Sequence, residues 1–226
     1  MMDAELKAIG YDYNATNYTS ELQRVLCGIY ACYTMMLKDA VVLLNDENMI
    51  RNILLFDYLN NDIIKNNLEL LDYVFNGEVL EPTGSKIDIK VQTTKQFIKS
   101  DEYFIVECKR LDNKNLTGTS GLNAKYIKNG ICRFVSKYYS TYNRINAMIG
   151  FVVEAMDIHS NTINNINLLL SRISMCRTTQ CFQKESFIPN FEYHYSSKHN
   201  DINNINFTLY HLMFDFSNNI CKTKVL

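Results

Sequence analysis

The chain has 226 residues, 47% of them hydrophobic and 12% aromatic, and a net charge of −1. That length and composition suit a folded domain with a full core and exclude a disordered, collagen-like or globally basic chain. Two prolines and eight glycines leave no Pro/Gly-rich linker, so residues 1–226 read as a single domain. Its parts are a mostly helical stretch over 1–72, a core over 73–155, and a C-terminal helix and strands over 156–226.

The elements follow in chain order. Leu22, Val25, Leu26, Ile29, Tyr33, Met36 and Leu37 recur at helical spacing. They predict a helix from a Thr19 or Ser20 cap to about residue 44. The uncharged run 25–37 is too short for a bilayer span, which needs about 20 residues, so it reads as a buried helix. A second helix starts at the cap residues Asn45 and Asp46, buries Ile50, Ile53, Leu54 and Tyr58, and ends by Asn60-Asn61. A third covers 62–71. Strands are expected over 73–80, with a turn at Asn76-Gly77, and over 85–92 (SKIDIKVQ) and 103–111 (YFIVECKRL), with a polar turn at 93–101 and a loop at 112–121. A helix over 124–140 carries the stripe Ile127, Ile131, Phe134, Val135 and Tyr138. A buried strand over 146–155, a helix over 163–173 and two late strands over 191–197 and 207–216 complete the chain.

Side chains alternate faces along a strand. Asp88 therefore stands with Lys86 and Lys90, and Glu107 with Tyr103, Ile105 and Lys109. Two carboxylates and a lysine at one end of a small sheet suit a hard divalent cation, held by oxygen atoms, with an ammonium beside the attacking water. Glu107 lies in a strongly apolar strand, where an acid is costly to bury unless paired or metal-bound. Charge is uneven: residues 81–150 hold twelve Lys/Arg against six Asp/Glu, a net of +6, which leaves −7 elsewhere. That local excess favours a phosphodiester substrate, although a solvated surface gives the same pattern. Seven cysteines without a CxxC pair read as reduced, packed thiols rather than a zinc site. The N-terminus shows no signal-peptide pattern, so a cytoplasmic location and no membrane are expected.

The Asp88 strand followed by Glu107-Cys108-Lys109 resembles the PD-(D/E)xK nuclease superfamily, over roughly residues 46–155. Ile87 stands where that family's motif has proline. The order helices, three-strand meander, helix, strand, helix is similar to its restriction-endonuclease-like αβββαβα core, an α/β fold with a mixed central sheet, here with an N-terminal helical extension. Tyr126–Tyr138 with the strand behind it, and the ends Ser197-Lys198-His199 and Leu209–Leu212, look like uncharacterised bacterial restriction-like proteins.

The resemblance implies an Mg²⁺- or Mn²⁺-dependent nuclease acting on DNA, with RNA left open. Asp88, Glu107 and the Cys108 backbone carbonyl would hold the metal, and Lys109 would serve the water. Glu47 is either a further ligand from a preceding helix or a first-turn acid paired with Arg51; Glu78 is a weaker candidate for the same place. Arg133 and Lys137, one turn apart, are either phosphate contacts or a solvated face. His199 and His211 read as structural or surface residues. Restriction, anti-phage defence or repair is the implied role, with a non-catalytic DNA-binding scaffold as the alternative. No recognition module is visible, so targeting falls to a partner such as a helicase or ATPase, or to self-association.

Overall fold

The computed structural model describes residues 2–81, 84–93, 103–139 and 144–221, with side chains from Tyr18 onward. Helix α1 (Met2–Lys38) buries Leu22, Val25, Leu26, Ile29 and Met36 completely. It starts well before the expected cap and stops short of residue 44. The stop is a paired-carbonyl turn: Ala40 adopts φ 48°, its N–H donates to Leu37 O, and the Val41 N–H donates to Met36 O. This closes the helix in the way a C-terminal glycine usually does.

Helix α2 (Glu47–Asn52) begins where expected, because Asp46 Oδ1 accepts the Met49 N–H at 2.9 Å and satisfies an otherwise orphaned donor. It runs on as a π-helical turn, Ile53–Leu59. Asn61 caps α3 (Asp62–Asn67), which ends before residue 71 where Glu69 takes φ 54°.

Among the described residues seven strands follow: β1 (Tyr73–Leu80), β2 (Lys86–Thr93), β3 (Phe104–Leu111), β4 (Ile145–Val152), β5 (Thr178–Lys184), β6 (His194–Asn200) and β7 (Asn206–Asp215). They form one mixed open sheet in the order β1-β2-β3-β4-β7-β6-β5. β1, β2 and β3 are an antiparallel meander. β4 runs parallel to both β3 and β7, as expected of a strand reached through a crossover helix. β7, β6 and β5 are again antiparallel. Among the described residues no helix is long and apolar enough to cross a membrane.

Several readings need correction. No turn forms at Asn76-Gly77: β1 keeps one register with β2 on either side of Glu78, which takes φ 53°, and a Cβ on Gly77 would lie 2.4 Å from a Leu55 methyl in the π-helical turn. The helix expected over 124–140 is α4 (Leu122–Tyr126), a π-helical turn Ile127–Ile131 and α5 (Cys132–Val135), ending five residues early. Strand β5 was not expected at all; its sequence TTQCFQK carries little apolar signal because only Phe182 is buried. The helix expected at 163 already starts with α6 (Ile158–Ser160), passes through a π-helical turn Asn161–Ile166 and ends as α7 (Asn167–Arg172). Nearly all of the turn expected at 93–101 lies outside the described residues.

The two faces of the sheet feed two cores. Phe104, Val106 and Cys108 of β3 pack with α1, α2 and the turn after it. Tyr103, Ile105 and Leu111 pack with the segment 122–135 and the later helices. The alternation read from the sequence thus holds along β3. One further tie matters below: Leu43 bridges Ile220, with Leu43 N–H donating to Asn219 O and Cys221 N–H to Leu43 O.

Candidate active site

The site lies where β2 and β3 part. Their ladder runs from Val91–Phe104 to Ile89–Val106 and stops there, while β3 continues to Leu111 against β4. Backbone N–H groups two residues apart on a strand point to the same edge, so Cys108 and Arg110 lose their partner strand. Each is rescued by a carboxylate. The Cys108 N–H donates to Asp88 Oδ2 at 2.8 Å, and the Arg110 N–H to Glu47 Oε2 at 2.9 Å. The open edge of β3 therefore fixes one acid from β2 and one from the first turn of α2, since buried backbone donors must be paired.

Lys109 is the centre of the cluster. Its Nζ lies 2.7 Å from Glu107 Oε1, 3.1 Å from Glu47 Oε1 and 3.5 Å from Asp88 Oδ2, and donates to the Cys108 carbonyl at 2.5 Å. Those four oxygen groups are the ones expected to hold a metal. Burial works against the ammonium, but the three carboxylates outweigh it and keep Lys109 protonated, with its pKa raised. Gly130 lets the segment 122–135 approach: a Cβ there would strike Met148 at 2.2 Å and come within 3.7 Å of Lys109 Cγ.

Glu107 is fully buried. Burial, helped by the nearby Asp88 charge, pushes its pKa up to about 7, against the pull of Lys109 and Tyr139. Tyr139 donates to Glu107 Oε2 at 2.5 Å, and Arg133 Nη1 reaches Oε1 at 2.9 Å. Asp88 is steadied by Arg51, whose Nη1 donates to Asp88 Oδ1 at 2.8 Å while Nη2 donates to Glu78 Oε1 at 2.7 Å. Arg51 is only 1% exposed, a position that a guanidinium holds only with its partners in place.

Asp88, Glu107, Lys109, the Cys108 carbonyl and Glu47 thus come together. Glu78 does not join them: it pairs with Arg51 and Lys86, which lower its pKa, Lys86 more than Arg51. The pairing of Glu47 with Arg51 is absent; Glu47 faces Lys109 and Arg110 instead. Lys137 is corrected: α5 has already ended, Lys137 sits at φ 57°, and its Nζ lies 3.4 Å from Asp201 Oδ2. It is not one turn from Arg133 and does not line the site. Arg133 is no merely solvated residue, because it touches the buried Glu107. The thiol of Cys108 is fully buried and its pKa is raised by that burial. Arg51 and Tyr139 went unforeseen. A cation next to the apolar stripe of α2 was the available signal for Arg51; nothing local in the sequence marks Tyr139.

A cleft of about 390 Å³ opens over this cluster, lined by Glu47, Arg51, Lys86, Asp88, Lys109, Arg110, Lys125, Asn129, Arg133 and Tyr138 among others. Cations outnumber acids along it, as an anionic ligand requires. Among the described residues, no group of three or more His, Cys, Asp and Glu side chains is placed to hold a metal ion. The donor chemistry nevertheless fits one: hard oxygen atoms surround a single cationic point, here an ammonium. Comparison with protein-family models, with curated proteins and with solved structures finds no match for this chain.

Proposed function

We propose that this chain is a divalent-metal-dependent nuclease, using Mg²⁺ or Mn²⁺ to hydrolyse DNA phosphodiester bonds on a restriction-endonuclease-like core. The observation that carries this reading is the convergence of Asp88, Glu107, Glu47 and the Cys108 carbonyl on one cation at the floor of a cation-lined cleft. A bound divalent ion would supply Lewis acidity and a water of lowered pKa. Asp88, Glu107 and the Cys108 carbonyl would hold that ion, with Glu47 beside them. Lys109 orients the water and neutralises charge developing on the phosphate. Tyr139 fixes the Glu107 carboxylate, and Arg133 balances its charge and faces the substrate. Restriction or anti-phage defence is the role this resemblance supports, with repair or RNA cleavage as its variants.

One observation favours a second reading, a non-catalytic scaffold or DNA-binding protein. Lys109, Arg133, Tyr139 and Arg51 already satisfy every carboxylate of the cluster. Two measurements decide between them. Cleavage of supercoiled, linear and single-stranded DNA and of RNA is assayed with and without Mg²⁺, for the natural protein and for Lys109→Ala. Mn²⁺ binding is titrated calorimetrically in the natural protein and in Asp88→Ala. The nuclease reading expects metal-dependent cleavage that is lost in Lys109→Ala, and Mn²⁺ affinity that falls in Asp88→Ala. Equal Mn²⁺ affinities, or cleavage that survives in Lys109→Ala, would reject the assignment.

A further inference from the structure

The wall of the cleft formed by residues 122–139 carries groups that the chemistry at Lys109 does not use. Lys125 and Asn129 line the cleft and are exposed, and no hydrogen bond or ion pair holds either side chain among the described residues. Arg133 continues their row inward to Glu107. In a straight α-helix, residues eight apart stand about 80° out of line, at about 100° per residue. The π-helical turn Ile127–Ile131 inserts about one residue's worth of backbone, which brings Lys125 and Arg133 to within about 20° of one line. The turn thus aligns polar groups from the rim to the buried carboxylate. Arg110, on the same cleft, keeps its Nε–H buried without an acceptor among the described residues.

Tyr138 adds a different kind of surface. It is 40% exposed and lines the cleft beside Arg133, whose guanidinium carbon stands 5.2 Å from its ring centre. Its ring meets that of Tyr139 edge-on, at 5.3 Å and 75°. Tyr139 is buried and anchored on Glu107, so the exposed ring is held next in sequence to the residue that fixes the buried carboxylate. An aromatic ring among cations is how proteins hold an unpaired nucleotide: the ring takes the base and the cations take the phosphates. A cleft of about 390 Å³ is at the small end for organic ligands, and suits one nucleotide unit rather than a stretch of duplex.

We propose that this wall is a binding site for single-stranded nucleic acid, in which Tyr138 stacks on an unpaired base next to the scissile phosphate while Lys125 and Asn129 hold the flanking backbone. The proposal rests on the nuclease reading and narrows its substrate to strands with an unpaired nucleotide.

The test is fluorescence anisotropy in EDTA, where no cleavage occurs, using a labelled oligonucleotide and its duplex. Single strand should bind more tightly than duplex. Tyr138→Ala should weaken single-strand binding about tenfold and leave duplex binding unchanged, and Tyr138→Phe should retain the natural affinity. Lys125→Ala should weaken both and lower the log–log salt slope by about one unit. Equal losses on single strand and duplex, or no loss in Tyr138→Ala, overturn the proposal. That failure is separate from failure of the nuclease reading: Mg²⁺-dependent cleavage with a neutral Tyr138→Ala removes only the stacking site, whereas Tyr138-dependent single-strand binding without any cleavage removes only the nuclease.

Discussion

Two buried polar groups stand two strands apart on this sheet, in the register Glu107–Met148–His211, and they are built on opposite rules. The cluster around Lys109 is charged, holds carboxylates and cations in comparable number, and opens to a cleft. The second runs through the core from Tyr126 to Cys176 and carries no charge. Tyr126 Oη meets His211 Nδ1 at 2.9 Å, and His211 Nε2 meets Ser197 Oγ at 2.7 Å. Ser197 Oγ meets His199 Nε2 at 2.8 Å, and His199 Nδ1 meets the Cys176 carbonyl at 3.0 Å. The protons of this chain follow from its end. A carbonyl only accepts, so His199 donates from Nδ1 and accepts at Nε2 from the Ser197 hydroxyl. Ser197 then accepts from His211 Nε2–H, and His211 Nδ1 accepts from Tyr126. His199 Nδ1 also lies 3.2 Å from Thr178 Oγ1, so every donor finds its acceptor within the fold, and both rings are neutral. A neutral chain closed within the core reads as architecture; a cluster of charges that opens on a cleft reads as a site.

The contrast is testable. The largest effect should come from His211→Ala, which leaves a cavity and strands Tyr126 and Ser197. It should cost about 4 kcal/mol of stability in urea denaturation with Mn²⁺ affinity unchanged; a cost below about 1 kcal/mol would mean the chain is not structural.

Acid comes next. Burial lowers the pKa of His199 to about 4 and that of His211 well below its ordinary value. The unfolded chain therefore binds these protons first, so stability is full above about pH 6.5 and falls as pH drops toward 4. The His199 part amounts to roughly 3 kcal/mol. Glu107, its pKa raised to about 7, shifts stability the other way over the same range, so the loss is read in Glu107→Gln; urea midpoints of that variant that stay flat between pH 6.5 and 4 would contradict neutral, closed histidines.

The smallest effect sharpens the other side. Lys109→Ala should cost about 2 kcal/mol without metal, less than a fully broken buried pair, because Arg133 and Tyr139 remain on Glu107. Mn²⁺ should restore the loss, raising the melting temperature of this variant more than that of the natural protein. Equal metal responses would place the Lys109 cluster with the structural chain.

Much of the site was legible because it sits on period-two strands. Alternation along residues 103–111 placed Glu107 and Lys109 on one face, and the cap at Asp46 placed Glu47 on the first turn of α2. What sequence could not show is long-range. Tyr139 meets Glu107, and Arg51 meets Asp88, from elements distant in sequence; the cation beside the apolar stripe of α2 was the one local sign of Arg51, and Tyr139 has none. The error at Lys137 has a local cause: the apolar stripe runs on to Tyr138, but the helix stops at Val135, and a stripe says nothing about where backbone pairing ends. β5 escaped notice because an edge strand with one buried residue looks like a loop.

The bridge from Leu43 to residues 219–221 bears on how this protein comes into being. Glu47 follows that bridge by four residues, so the backbone carrying the acid is clamped by chain that ribosomes make long after Arg133. Residues 1–139 hold every member of the cluster, yet a chain of that length lacks both the clamp and strand β4, against which β3 pairs. The acid on α2 is therefore held in part by residues almost 180 positions further along the chain, so a deletion of residues 219–221 acts on the cluster from a distance.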